Sequence, residues 1–205
     1  MPPASTNRVR VWDLPTRIFH WVLAACVTGA VLTAKFDAME WHIRLGQTVL
    51  VLLAFRLIWG VVGGRWSRFA HFFKNITPGH DLKGSLSVLA MLIWLLAQVL
   101  TGLVADDEIM TTGPLRAKVS DSLSQAATHW HVAWGQWGVY ALVGLHLAAI
   151  AWYVWRRRAL VRPMVTGDKE LPEAAPASRD DWRSWLLAAV LIALITSGYL
   201  VSIAA

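Results

Sequence analysis

The amino-acid sequence predicts an all-α integral membrane protein, and three observations support this fold class. Hydrophobic residues make up 56% of the 205 residues and charged residues only 16%, whereas a soluble domain averages about 25% charged residues. Five apolar runs have about the 20 residues that a helix needs to span the hydrocarbon. Basic residues gather in alternate connections between these runs. Such a chain cannot bury its apolar side chains in one core, so lipid is the solvent for much of it.

The five predicted membrane-spanning helices follow the apolar runs at residues 18–34, 43–62, 84–104, 132–155 and 184–203. The last run carries Thr196, Ser197 and Tyr199 and is interpreted as an additional helix that packs on the others. The first run has a basic flank and ends in Leu-Thr-Ala, which is the outline of a signal peptide. Its apolar stretch is long for such a signal, so we expect it to be retained.

The basic residues predict the orientation, because cytoplasmic flanks collect Lys and Arg. If the spans alternate, fourteen of the nineteen basic residues fall on one side: Arg8, Arg10, Arg17, Arg65, Arg68, Lys74, Lys83, Arg156, Arg157, Arg158, Arg162, Lys169, Arg179 and Arg183. We therefore expect a cytoplasmic N-terminus and a periplasmic C-terminus. The net charge of +6 is interpreted as topology and not as nucleic-acid binding.

Seven histidines are the candidate functional residues. An ionisable side chain inside a membrane helix is costly and marks a functional site by default, although a single histidine is more often an interfacial or hydrogen-bonded residue. Imidazole is a common axial ligand of haem iron. The single cysteine, Cys26, excludes an internal disulfide, a four-cysteine iron–sulfur cluster and a C-x-x-C-H haem attachment, so any haem is bound non-covalently.

The depths of four histidines predict two pairs. His20 opens the first helix on the cytoplasmic side, and His42 opens the second helix on the outer side. The fourth helix carries His131 near its outer start and His146 fifteen residues later, about 22 Å farther along the axis. His42 therefore faces His131 in the outer half, and His20 faces His146 in the inner half, as two bis-histidine cages.

Small and basic residues near these histidines fit the same interpretation, since a flat porphyrin needs room beside its ligand. Gly46 and Gly135 each lie one turn after an outer histidine, and Gly144 lies just before the inner histidine of the fourth helix. Ordinary helix packing explains the glycines about as well.

Arg17 and Arg44 lie within a turn of proposed ligands and are candidates to pair with haem propionates. The bias of basic residues toward one side of the membrane and the snorkelling of arginine side chains explain these two residues almost equally.

Taken together, these motifs resemble the bacterial cytochrome b561 family, which includes the b-type cytochrome subunits of membrane-bound nickel–iron hydrogenases. The matching segments are Arg17-Ile18-Phe19-His20-Trp21, Trp41-His42-Ile43-Arg44-Leu45-Gly46, Phe55 to Gly60, and the two-histidine fourth helix. The resemblance implies a four-helix bundle that binds two haems b through His20, His42, His131 and His146. It also implies electron exchange with membrane quinone and with a partner redox protein.

The spacing of the two fourth-helix histidines departs from this family, in which fourteen residues are typical and here there are fifteen. At about 100° per residue, fourteen residues leave the two side chains about 40° apart around the helix and fifteen about 60°. A local bulge would absorb the difference. His129 is the rival outer ligand, but it is turned about 100° from His146, so we favour His131. His71 and His80 are interpreted as solvated or interfacial loop residues.

The predicted organisation is a di-haem transmembrane domain at 1–165, a cytoplasmic linker at 166–181 and an additional transmembrane helix at 182–205. We expect a cytochrome of the bacterial inner membrane that carries electrons between the quinone pool and a redox partner such as a periplasmic cytochrome c. One alternative is a quinone-linked oxidoreductase acting on a small outer substrate such as superoxide, which needs a basic pocket near Arg44 and Lys35. The other is a transporter or membrane anchor that uses the histidines for a divalent metal. Whether the chain is itself an enzyme stays open at this point.

Overall fold

Helices dominate the computed structural model of the chain, which describes residues 7–74, 82–171 and 175–204. His80 lies outside the described residues. The elements in chain order are β1 (Asn7–Arg10), α1 (Leu14–Lys35), α2 (Met39–Val62), α3 (Phe69–Lys74), α4 (Leu82–Leu103), α5 (Asp121–His129), a π-helical segment (Trp130–Gly135), α6 (Gln136–Trp155), α7 (Val161–Thr166), β2 (Asp168–Leu171) and α8 (Trp182–Ala204).

Within the described residues, five helices are long and apolar enough to cross a membrane, so the prediction of five spans is confirmed. The fourth of them is a continuous helix from Asp121 to Trp155 and begins well before the predicted apolar run. Its first turn is capped by Ser120, whose hydroxyl accepts a hydrogen bond from the Leu123 amide. The segment Asp121–His129 is polar, which is why hydropathy alone does not include it in the span.

Helix α2 is the centre of the bundle. It packs against α1, α4 and α8, while the π-helical segment and α6 pack on α4. Leu53, Phe55 and Trp59 on α2 are the largest fully buried apolar side chains among the described residues. The helix predicted to be an addition, α8, lies against α2 and α1.

A buried polar cluster fixes the start of α1 against α2. Asp13 is fully buried and caps α1 by accepting a hydrogen bond from the Thr16 amide at 2.9 Å. Its carboxylate also accepts hydrogen bonds from the Ser67 hydroxyl at 2.8 Å and from the Trp59 indole at 3.3 Å. Arg56, which is 4% exposed, donates to the Ser67 carbonyl at 3.1 Å. The buried charges of Asp13 and Arg56 thus share one hydrogen-bonded cluster.

The helical bundle that the sequence predicts is confirmed, and a small antiparallel sheet, which the prediction does not include, lies at the same end of the bundle. β1 pairs with β2, with Asn7 opposite Leu171 and Arg10 opposite Asp168. The region predicted to be a linker is thereby attached to the N-terminal segment. Asp180, in the same region, accepts a hydrogen bond from the Leu14 amide at 2.9 Å. The sequence does not predict these strands, because four mostly polar residues carry no alternating apolar pattern.

We call this end, formed by β1, residues 63–71, residues 156–171 and residues 175–181, the basic end. At the opposite end lie the α1–α2 turn and residues 104–120. There the Asp107 carboxylate accepts hydrogen bonds from the amides of Ile109, Met110 and Thr111. These bonds lower the pKa of Asp107 to about 2 and fix the tip of the loop. Lys118 donates to the Ser202 carbonyl at 2.6 Å, which ties this loop to the last turn of α8.

Candidate functional site

The structure brings the four candidate histidines together in two pairs. His20 on α1 lies beside His146 on α6, with ring centroids 6.3 Å apart. His42 on α2 lies beside His131 in the π-helical segment, with ring centroids 6.1 Å apart. All four side chains are half-buried, whereas His129 is exposed. Each pair joins α1 or α2 to the fourth span at one depth.

Two backbone carbonyls orient the imidazoles of the second pair. Nδ1 of His42 lies 2.8 Å from the Ala30 carbonyl oxygen, and Nδ1 of His131 lies 2.8 Å from that of Gln98. A carbonyl oxygen only accepts, so each Nδ1 carries the proton and donates it. Nε2 of each ring is then the nitrogen with a free lone pair, which is the form that binds a metal.

The His20–His146 pair is held differently. Nδ1 of His20 is buried and has no hydrogen-bond partner among the described residues. His20 also packs edge-on against Trp21, with ring centroids 5.0 Å apart. A buried imidazole nitrogen without a partner is costly unless something further satisfies it, so this position is itself consistent with a ligand-binding site.

The π-helical segment explains the spacing of fifteen residues between the fourth-span histidines. The Gln136 amide donates to the His131 carbonyl, an i to i+5 bond that accommodates one extra residue in a single turn. The Gln98 side chain also donates to the His131 carbonyl at 3.2 Å, and the Trp94 indole donates to the Gly135 carbonyl at 2.9 Å. Side chains of α4 therefore donate hydrogen bonds to two carbonyls of the widened turn. Because this turn holds one extra residue, fifteen residues here rotate the helix about as far as fourteen would in a regular α-helix.

The glycines near the histidines fall into two groups. A Cβ at Gly46 or Gly144 would have no heavy atom within 4 Å, so both leave open space beside a histidine-bearing helix. A Cβ at Gly135 would collide with the Gln98 side chain. The structure thus places Gly135 at a close helix–helix contact rather than beside open space. Gly102, which the sequence did not single out, leaves room for the His131 ring itself.

The packing of the helices leaves the same region open. α1 and α2 pack closely on each other, and α6 packs on α4. In the described part of the chain, α6 forms no comparable interface with α1 or α2. The histidine pairs bridge this separation between α1–α2 and the fourth span, where a flat group would have access to both imidazoles.

The two candidate arginines are engaged by protein groups. Arg17 donates to the Val165 carbonyl at 2.7 Å and lies 3.6 Å from Asp180. Arg44 pairs with Glu40 one turn away, and both are exposed. Lys35 lies over the Tyr140 ring at 5.9 Å. The basic outer pocket that the superoxide alternative requires is therefore not formed by free Arg44 and Lys35 side chains.

The donor set fits a haem better than a divalent metal. Each site offers two imidazoles, and no group of three or more His, Cys, Asp or Glu side chains surrounds a common point within the described residues. A structural zinc takes four protein ligands, whereas a porphyrin brings four nitrogens of its own and needs two. Two imidazoles that bind one metal from opposite sides, at about 2 Å each, have ring centres about 6 Å apart, as both pairs do.

Three residues that orient the candidate ligands are not apparent from the sequence. Ala30 and Gln98 act through their backbone carbonyls, which carry no side-chain signal, and Gly102 acts through the absence of a side chain. Gln98 alone offered a clue, because it is a polar residue in the middle of the apolar run at 84–104.

The family model for prokaryotic cytochrome b561 matches residues 11–167, a range that contains both histidine pairs and four of the five spans. Comparison with curated proteins and with solved structures found no match. Because the match covers well over half of the chain, the resemblance seen in its motifs is confirmed. The chain belongs to the prokaryotic cytochrome b561 family of membrane b-type cytochromes, which bind haem and act in electron transfer.

Proposed function

We propose that this protein is a di-haem cytochrome that carries electrons across the bacterial inner membrane between the quinone pool and a redox partner such as a cytochrome c. His20 and His146 hold one haem b, and His42 and His131 hold the other. The observation that carries the proposal is the pairing of four membrane-embedded histidines at two depths, with ring centroids 6.3 and 6.1 Å apart.

The residues of the chain position the imidazoles that would hold the two haems. When bound, each haem supplies the one-electron redox chemistry. The hydrogen bonds from His42 to Ala30 and from His131 to Gln98 fix each ring in the tautomer that presents Nε2. Gly46 and Gly144 leave room beside the ligands.

The orientation is part of the same proposal. The basic end faces the cytoplasm because Lys and Arg accumulate on cytoplasmic flanks. The His20–His146 pair then lies in the cytoplasmic half of the membrane and the His42–His131 pair in the periplasmic half. An electron that passes from one pair to the other crosses much of the hydrocarbon, which suits a lipid-soluble quinone and a water-soluble partner on the periplasmic side.

Single His→Ala variants test the pairing. Removal of one axial ligand leaves a haem high-spin or lost, so each of the four variants should lose about half of the low-spin haem absorption. The double variant His42→Ala/His131→Ala should lose little more than either single variant, because both changes strike one site. Electron transfer from a quinol to cytochrome c in proteoliposomes should stop in all of them, since the path needs both sites.

His129→Ala is the matched control, since His129 is exposed and two residues from His131. It should keep the full haem signal. Loss of both haems in a folded His42→Ala/His131→Ala variant would contradict the assignment, as would a His129→Ala variant that loses one haem while His131→Ala keeps both. Thermal unfolding of each variant in detergent separates ligand loss from misfolding.

A further inference from the structure

A second site lies at the basic end, and none of the four paired histidines lines it. A cavity of about 280 Å³ opens there between residues 63–71 and residues 176–179. Three arginines line it, Arg65, Arg68 and Arg179, together with His71. No carboxylate is among its lining residues. The cavity plays no part in the proposed electron path and shares with that proposal only the cytoplasmic placement of the basic end.

The three guanidinium groups are poorly neutralised by the protein. Arg65 forms no side-chain hydrogen bond or ion pair with the residues that the structure describes. Arg68 uses Nε to donate to the Gly63 carbonyl at 3.0 Å, which fixes its position and leaves the terminal nitrogens available. Arg179 lies 4.0 Å from Asp181, whose Oδ1 already accepts the Ser184 amide at 2.8 Å. All three side chains are exposed, so solvent screens their mutual repulsion, and an anion between them would reduce it further.

The walls of the cavity are tied together and preorganised. The Trp66 indole donates to the Pro176 carbonyl at 3.0 Å, and the Trp66 amide lies 3.4 Å from the Ser178 hydroxyl. Ser178 in turn donates from its hydroxyl to the Val11 carbonyl at 3.0 Å. Gly64 is buried, and a Cβ there would collide with the Asp13 carboxylate. The two segments that carry the arginines are therefore held at a fixed separation.

We propose that this cavity binds a phosphate group. The planar fork of a guanidinium matches the oxygens of a phosphate in a bidentate manner, and three such groups supply the positive charge that a phosphate requires. A cavity at the polar end of a membrane bundle meets two sources of this chemistry, the headgroup of an anionic phospholipid and a soluble phosphate ester. Basic pockets at the cytoplasmic ends of membrane helices suit such headgroups.

Titration of the purified, delipidated haem-containing protein tests the site. Binding of short-chain phosphatidylglycerol and of inorganic phosphate is measured at constant ionic strength by calorimetry and native mass spectrometry. Arg65→Gln should weaken binding about tenfold, which corresponds to one lost charge-assisted hydrogen bond. Arg65→Gln/Arg68→Gln should abolish it. The matched control is Arg162→Gln, because Arg162 is an exposed arginine at the same end that does not line the cavity.

The two probes distinguish the sources. Arginine-dependent binding of the lipid alone assigns the site to a phospholipid headgroup, and arginine-dependent binding of both probes adds a soluble phosphate; either result supports the proposal. If Arg162→Gln weakened probe binding as much as Arg65→Gln, the effect would reflect general surface charge, and the proposed phosphate site would be wrong. Binding of neither probe to the wild-type protein would also contradict the proposal. Arg65 is exposed and forms no side-chain hydrogen bond or ion pair with the described residues, so the single variant keeps the test valid if the double variant unfolds.

Discussion

A single buried carboxylate organises the basic end of the bundle. Asp13 accepts hydrogen bonds from a backbone amide of α1, from a serine that follows α2 and from an indole of α2. It also interacts electrostatically with Arg56. A charged group that is fully buried persists only where its partners compensate its desolvation, so the effect of removing Asp13 extends to each of them.

We predict that Asp13→Ala destabilises the protein by about 3 kcal/mol or more. About 1 kcal/mol comes from the lost helix cap, and the rest from donors left without an acceptor, at about 1–3 kcal/mol each, and from a buried Arg56 without its counter-charge. Thermal unfolding in detergent measures the change. Glu170→Ala on β2, where the side chain is exposed, should leave the midpoint nearly unchanged. Equal shifts in the two variants would show that the cluster contributes little.

The sequence predicts which histidines share a depth, because depth depends only on residue number along a straight helix. It does not predict how each ring is oriented. The orientation of His42 depends on the Ala30 carbonyl of α1, and that of His131 on the Gln98 carbonyl of α4. Both contacts arise when helices pack, and any residue type at positions 30 and 98 offers a carbonyl.

At the scale of elements, the π-helical segment decides how the fourth span presents its histidines. Fifteen residues in a regular α-helix would turn His131 about 60° from His146, and fourteen about 40° in the opposite sense. The extra residue in Trp130–Gly135 removes that difference. The turn is stabilised by Gln98 and Trp94 of α4, so this irregularity depends on a neighbouring helix.

Deletion of Ala133 tests this account. The deletion removes the extra residue from the widened turn, which should close to a regular α-helix with the histidines fourteen residues apart. We expect the variant to keep both low-spin haems in its absorption spectrum. Deletion of Ala141 in the regular part of α6 is the matched control, since it should rotate His131 about 100° relative to His146 and lose the outer haem. If the Ala141 deletion kept both haems, the rotation of His131 relative to His146 around the helix axis would not matter for haem binding, which would contradict this prediction.

The spacing of the two histidines predicts that the fourth span contains a bulge but not where it lies. Its position depends on the packing of Gly135 and Gly138 against Gln98 and Trp94. The pairing of β1 with β2 is likewise a tertiary effect. Its ion pairs, such as Arg10 with Asp168 at 2.8 Å, join residues more than 150 positions apart in the chain. Local patterns carry no information about such contacts, whereas twenty consecutive apolar residues identify a span on their own.

At the scale of the whole molecule, charge is distributed unevenly between the two ends. The connections in which arginines and lysines cluster meet at the basic end, as the alternation of five spans requires. The opposite end carries Asp106, Asp107 and Glu108 in its largest loop. Whether the basic end is cytoplasmic stays a prediction from the bias of Lys and Arg.

Reporter fusions test this topology. Fusions placed after Asp107 and after Gly167 should report opposite compartments, with Gly167 in the cytoplasm, because the fourth span separates the two sites. A fusion at the C-terminus should agree with the Asp107 fusion, since α8 adds one more crossing. A periplasmic signal from the Gly167 fusion would reverse the orientation.

The separation of the two histidine pairs has an electrical consequence. Fifteen residues of helix correspond to about 22 Å of axis, in a hydrocarbon core about 30 Å thick. Moving one elementary charge across a membrane at 100 mV takes about 2.3 kcal/mol, so an electron that passes between the proposed haems takes or releases about 1.7 kcal/mol. A protein built in this way is sensitive to the energised state of its membrane: the potential assists electrons that leave the cytoplasmic face and opposes those that return.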